Sequence, residues 1–448
     1  MIRLSITYMK LFVAFVLVLL NIPVNACTIV AVSGRVTADS RPLLLKNRDS
    51  SHPDIRIRIG QGSRYTYLCQ CVVPNGGALS GYNEAGFAIV NSHSYNMPNT
   101  EASWNAYVMQ HSLETCATVD DFEQMLNAFS RPMPVSANYG VMDAQGHVAI
   151  FEVNANGFVK YDADDTDNGY LVRTNHSLSQ DTTGISIEHP SSIPRYLITT
   201  AYMENVLVEN GSISKEDVFG LTRWFVNSEG DDLLDCAPFD ENSYTPVDFR
   251  YYVPRYLTTS AMTIQGVLPG EQPNLTCAWT MIGSPLATVN VPYLLTPGLV
   301  LPQKSIVGVD GHSWFCFRGQ QLKNSCFIDN TTIDLAKLYN QSGTGLMQKV
   351  GEIEEEILLR GNSLVDQLRT GAASCWDVEQ YYAWVDGYVE EQYVEYHLIE
   401  SNTNEANEVN ENIEEPILEY YNILGQRVKN VKPDAIIKRH GHIGIILN

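Results

Sequence analysis

Two blocks of period-two alternation, separated by one long stretch of helical spacing, constrain the fold of this chain more than any other feature. The first block runs through Thr28 to Val32, Leu43 to Lys46, Tyr65 to Val73, Ala78 to Tyr82 and Phe87 to Asn91. Its last two runs flank the turn Asn83-Glu84-Ala85-Gly86, which predicts a hairpin. From Ala102 to Phe129 the spacing becomes helical, with Leu113, Cys116, Phe122, Met125 and Leu126 forming one apolar stripe. Strands return at Tyr139 to Val153 and Tyr170 to Thr174, and Ile193 to Val208 reads as a helix. That order predicts an α+β chain of stacked layers, not a bundle or a barrel.

The ends read differently from the middle. Residues 1–26 combine a basic start (Arg3, Lys10), an apolar run from Leu11 to Leu20 and the end Val24-Asn25-Ala26, the pattern of a cleavable secretion signal. The apolar run falls short of the roughly 20 residues a spanning helix needs, so the protein is expected to be exported, with no membrane span. Residues 27–345 are expected to form the main domain, 346–400 a helical extension, 401–415 an acidic linker without Lys or Arg, and 416–448 a small β-rich segment. A hydrophobic content of 44% against 18% charged residues marks the body as globular. The formal charge of −22 argues against nucleic acid or an anionic membrane as a partner, while leaving room for a local basic pocket. The oligomeric state stays open.

Nine cysteines are present. Apart from Cys27 their scattered spacing resembles no disulfide framework or zinc pattern, so no metal is expected and most read as buried small hydrophobes. Cys69 and Cys71 face one side of a strand as packed thiols.

Cys27 follows the signal directly, so a cut after Ala26 places a thiol and a free α-amine on one residue. With reference pKa values of about 7.7–8.0 and about 8.5, a minority of the amine is unprotonated at neutral pH and can take the thiol proton. Two other readings of Cys27 stay open. A lipoprotein cysteine is one, although Asn25 stands where a small residue is wanted; an incidental cysteine is the other. Lys46-Asn47-Arg48-Asp49 follows the second strand and is expected opposite Cys27, where a carboxylate orients the amine and a cation favours thiolate; a surface turn is the alternative. Asn91-Ser92-His93 and Thr174-Asn175-His176 each close a strand, where an amide or backbone N–H can cradle an oxyanion or simply end the strand. Arg195 sits near the start of the helix opened by Ser192-Ile193-Pro194, against the helix dipole, and needs a reason such as a nearby carboxylate.

In order, the chain shows Cys27-Thr28, Lys46 to Asp49, Gly81-Tyr82-Asn83-Glu84-Ala85-Gly86, Asp143-Ala144-Gln145-Gly146, Thr174 to His176 and Ser192 to Tyr196. The set resembles the linear-amide branch of the N-terminal-nucleophile hydrolases, which includes choloylglycine hydrolases, penicillin V acylases and penicillin acyltransferase-like enzymes. Leu113 to Asp121 is similar to the last group, and the resemblance spans Cys27 to Leu295. It implies a four-layer αββα sandwich that hydrolyses a linear C–N amide of a small molecule or peptide through an acyl-thioester, without metal or cofactor. Position by position, the resemblance makes Cys27 nucleophile and, through its amine, base. Asp49 orients the amine, Asn175 donates to the oxyanion, Arg195 braces the site, and Asn91 or nearby backbone supplies a second donor. Lys46 stands where relatives commonly carry Arg, keeping the charge without the bidentate fork. A dipeptidase of the same superfamily and a lipid-anchored binding protein acylated at Cys27 remain the alternatives. The segment 416–448 faintly resembles C-terminal sorting domains, with a plain β appendage as the other reading.

Overall fold

Strand β1 (Ala26–Val32) shows how the alternation is used. Val30 and Val32 point into a helix-covered core, and Cys27, Ile29 and Ala31 take the opposite side. The computed structural model describes residues 26–400, apart from 74–75, 99–101, 186–188, 299 and 309–310, and four short strands beyond them. The expected signal sequence up to residue 25 and the 401–415 linker lie outside the described residues.

Two antiparallel sheets stack face to face. The first has the order β10 (Tyr170–Arg173), β1, β2 (Leu43–Asp49), β12 (Thr258–Gln265), β13 (Cys277–Ile282), β14 (Asn290–Leu294). The second is a meander of β3 (Ile55–Gln61), β4 (Thr66–Val72), β5 (Ala78–Asn83), β6 (Ala88–His93), β7 (Ala137–Met142), β8 (Val148–Val153) and β9 (Phe158–Asp162). β11 (Pro246–Asp248) and β15 (Thr332–Asp334) form a separate ribbon. β1 and β2 lie against β6 and β7, so their inward faces meet between the sheets.

Helices cover both outer faces. On the meander, α1 (Asn105–Thr115) and α2 (Val119–Ala128) bury Val108, Leu113, Phe122 and Leu126 against Phe87, Ile89, Tyr139 and Phe151. On the other sheet, α3 (Ser192–Asn210) and α4 (Lys215–Leu221) bury Ile198, Met203 and Val218 against Val30, Val32, Leu45 and Val172. The result is the expected αββα sandwich. α5 (Trp314–Cys326) packs on β13, and α6 (Leu346–Thr370), paired with α7 (Cys375–Glu395), on β14.

Several expectations change in detail. The single helix expected from Ala102 to Phe129 is two helices: Cys116 is extended, and Thr118 with Asp121 makes a capping box that starts α2. The run from Tyr139 to Val153 is likewise two strands, joined by a turn whose Gly146 takes φ +95°. Residues 346–400 carry the helices α6 and α7, with α6 packed on β14 of the main sheet. The Tyr382 hydroxyl accepts from Leu294 N at 2.8 Å, and the Glu354 carboxylate accepts from Asn290 N at 2.6 Å. The chain divides into two compact units, Met1–Leu398 and Ile399–Asn448. In the second, Tyr420–Tyr421 pairs with Arg427–Val428 and Ile436–Arg439 with His442–Ile445; the rest of 416–448 lies outside the described residues.

Two of the ordered motifs are structural. Asn83 Nδ2 donates to Leu113 O and Cys116 O at 2.9 and 2.8 Å, tying the β5–β6 hairpin to the end of α1. Asp143 Oδ2 accepts from Val119 N at 2.9 Å and so serves the first turn of α2. All nine cysteines are free thiols, six of them buried. No helix among the described residues is long and apolar enough to cross a membrane.

Candidate active site

Cys27 lies near the start of β1 and pairs with Arg48 on β2, while Ala26, the residue before the expected cut, pairs with Asp49. Both main-chain groups of Cys27 are held. Its nitrogen donates to Asn175 Oδ1 at 2.8 Å, and its carbonyl accepts from Arg195 Nη1 at 2.7 Å. Arg195 also donates to Thr28 Oγ1 and to Asn175 Oδ1, each at 2.8 Å. Three neutral oxygens hold the guanidinium at the first turn of α3, and the nearby Asp49 carboxylate favours its charge. Burial, reinforced by the nearby Arg255, lowers its pKa to about 10, so it remains charged at neutral pH.

Asn175 follows β10, in the loop that leads to α3, and its amide is used at both ends. Oδ1 takes the Cys27 nitrogen and Arg195, and Nδ2 donates to His93 O at 2.9 Å. A carboxamide nitrogen carries two hydrogens, so one N–H of Asn175 stays available for an oxyanion. Its neighbours fix the loop: Thr174 Oγ1 donates to Ser192 O at 2.8 Å, and the Glu152 carboxylate accepts from Leu178 N and Ser179 N, both at 2.8 Å. Glu152 also pairs with Arg173 at 2.5 Å, both side chains nearly sealed from solvent. His176 is pushed down to about 4 by burial, with Arg173 and Arg195 adding to the effect, and is therefore neutral.

β2 distributes its polar run between two faces. Lys46 and Arg48 share the inter-sheet side with Cys27, and Asn47 and Asp49 take the helix side. β5 and β6 stop pairing after Ser80 and Val90, and the Lys46 ammonium fills the gap, donating to Leu79 O at 2.7 Å and Asn91 Oδ1 at 2.6 Å. Burial brings the Lys46 pKa down to about 8 against the opposing pull of Cys27. Arg48 donates to Thr259 Oγ1 at 2.6 Å and His52 O at 3.0 Å. Asp49 is 1% exposed, and both its oxygens are taken. Oδ1 accepts from Thr258 Oγ1 at 2.6 Å and Asn47 Nδ2 at 3.3 Å; Oδ2 accepts from Arg255 at 2.6 and 3.1 Å.

The structure thus brings Cys27, Asn175 and Arg195 into direct contact, joins Lys46 to Asn91, and sets Asp49 beside the strand position that precedes Cys27. Asn91 presents its oxygen to Lys46. Four buried or half-buried cations (Lys46, Arg48, Arg195, Arg255) make the local basic pocket that the acidic chain allowed. Sequence reading missed Arg255, Thr258 and Tyr95. Arg255 follows Pro254 in a stretch without periodicity, and no sequence signal separates it from a surface arginine. Tyr95 N donates to Asn175 O at 3.0 Å, and its ring stacks on His189 at 3.7 Å; burial, with Cys27 next, pushes its phenol up to about 12.

The αββα sandwich carries this cluster on its first strand. The family model of acyl-coenzyme A:6-aminopenicillanic acid acyl-transferase matches residues 36–221. Over that segment the chain is similar to this acyl-transferase family. The match includes Lys46, Asp49, Asn175 and Arg195, and begins after Cys27. Similar solved structures include penicillin V acylase from Agrobacterium tumefaciens, 14% identical over 60% of this chain and 86% of that one, TM-score 0.35. A mutant conjugated bile acid hydrolase from Clostridium perfringens is 12% identical over 60% and 92%, TM-score 0.33. An N-acylethanolamine-hydrolyzing acid amidase ortholog from Caenorhabditis elegans is 14% identical over 40% and 79%, TM-score 0.31. The search of curated proteins gives no match.

Proposed function

We propose that the chain is an exported cysteine amidohydrolase that cleaves a linear C–N amide through an acyl-thioester on Cys27, freed by a cut after Ala26. The observation that carries this reading is the double grip on Cys27, its nitrogen on Asn175 and its carbonyl on Arg195. Such a grip holds the future N-terminus within the polar cluster, instead of leaving it to fray as chain ends do.

In this mechanism the free α-amine takes the thiol proton, and Sγ attacks the amide carbon. The oxyanion receives the spare N–H of Asn175, while Lys46 and Arg48 offset the negative charge on the inter-sheet side. The C–N bond then breaks and the leaving nitrogen takes the proton back from the α-ammonium. Water, deprotonated by the same amine, attacks the thioester and releases the carboxylic acid and the thiol. None of these steps draws on a metal or cofactor.

The test compares processed protein with a variant verified to retain Ala26, assayed on a panel of bile-acid conjugates, penicillin V, N-acyl amino acids and dipeptides. Turnover by the processed form alone is expected, and Cys27→Ala is expected to abolish it. Turnover by the extended form would show that another group is the base.

A further inference from the structure

Arg255 lies outside the matched segment and outside every motif quoted above, yet it is the cation on Asp49. Its Nη2 and Nε donate to Asp49 Oδ2 at 2.6 and 3.1 Å, and its Nη1 donates to Ser191 Oγ at 2.7 Å, just before α3. Its own backbone N–H donates at 2.8 Å to Thr258 Oγ1, which donates in turn to Asp49 Oδ1 at 2.6 Å. Arg255, Thr258 and Asp49 therefore close a ring around one carboxylate.

We propose that Arg255 is a positioning residue that claims the charge of Asp49 and thereby keeps the α-amine of processed Cys27 in its neutral, proton-accepting form. The proposal rests on the reading of Cys27 given above. A carboxylate beside a new amine has two effects in conflict: it orients the amine, and it stabilises the ammonium, which is useless as a base. Arg255 resolves the conflict by ion-pairing the carboxylate, so that orientation survives without the full electrostatic pull. The other groups around the amine act in the same sense. Lys46 and Arg48 on β2 and Arg195 on α3 are cations that disfavour a further positive charge, and Tyr95, with its phenol pushed upward, is neutral at working pH. His93 and His189 lie behind Tyr95, and burial holds the His93 imidazole below its ordinary value. Among the described residues, Asp49 is the carboxylate of this cluster, and Arg255 is bonded to it.

The amine can be titrated without turnover. In a processed Cys27→Ala background, competitive labelling with acetic anhydride across pH, read by mass spectrometry of the N-terminal peptide, gives its protonation midpoint. Arg255→Met is expected to move that midpoint up by about one pH unit, the lower end of the effect of a neighbouring opposite charge. Arg255→Lys is expected to restore most of the difference, and the acidic limb of kcat/KM in the Cys27 enzyme should move with it. If Arg255→Met does not fold, Arg255→Gln, which keeps donors for Asp49, decides by the same midpoint. A midpoint unmoved in the folded neutral variant overturns the proposal while leaving the nucleophile assignment intact. A wild-type mature chain that starts elsewhere than Cys27, seen by intact mass, overturns both.

Discussion

Asn175 and Arg195 share one oxygen. Asn175 Oδ1 accepts the Cys27 nitrogen and the Arg195 guanidinium, both at 2.8 Å, while Arg195 reaches past it to the Cys27 carbonyl. The β10–α3 loop and α3 therefore clamp β1 at one residue, and the amide of Asn175 is oriented by groups at both its ends. Asn175→Ala is expected to lower kcat by about 100- to 1000-fold, with a much smaller change in KM. Steady-state kinetics on the best substrate of the panel checks this.

Lys46 makes a pH-dependent contribution to stability. Its ammonium is buried on two neutral oxygens, and burial lowers its pKa to about 8, against about 10.4 for an unfolded lysine. Between these values the unfolded chain binds the proton and the folded chain does not, so stability rises with pH through that window. Below it both states are protonated and the burial cost is fully present. Lys46→Met lacks this dependence. Its stability relative to wild type should fall between pH 7 and 9.5, by at most about 1.4 kcal/mol per pH unit, in denaturant unfolding at the two pH values.

The Glu152–Arg173 pair supports the site at one remove. Glu152→Ala leaves a buried guanidinium unpaired and strips the acceptor from Leu178 N and Ser179 N. A loss of about 3–5 kcal/mol is expected in chemical unfolding, because breaking a buried pair from one side leaves an uncompensated charge.

Truncation separates the two units. A chain ending at Glu400 is expected to fold and turn over like the full chain, since every residue of the candidate site lies earlier. A chain ending at Thr370 loses Tyr382, whose hydroxyl accepts from Leu294 N on β14, and Tyr381, which donates to Ile357 O on α6. It should be less stable or insoluble. Thermal unfolding and activity of the two truncations check both halves.

How much of this was legible varies with the physical signal. Hairpins, capped helices and half-buried strands announce themselves by period and turn chemistry, so β1, β2, β5, β6, α3 and the long C-terminal helices were readable. β12, β13 and β14 were not: like β2 they are buried along their whole length, but their mixed polar and apolar runs carry no motif that marks them. The polar run Lys46 to Asp49 looked like a turn in isolation, yet it continues β2 and sends alternate side chains to opposite faces. Arg195 was singled out because a cation at a helix start conflicts with the dipole. Arg255 has no such conflict, and its role exists only through the approach of its loop to β2 and α3.

The central claim is that Cys27, once it is the first residue, carries the acyl group during turnover. Acid-quenched intact mass of the protein, taken during turnover of its best amide and followed by mapping of the N-terminal peptide, tests this directly. The account predicts a chain that begins at Cys27 with an unmodified amine, and an added mass equal to the acyl group, less one hydrogen, on the Cys27 sulfur. A lipid adduct, a different first residue, or an acyl group on any other side chain would contradict it.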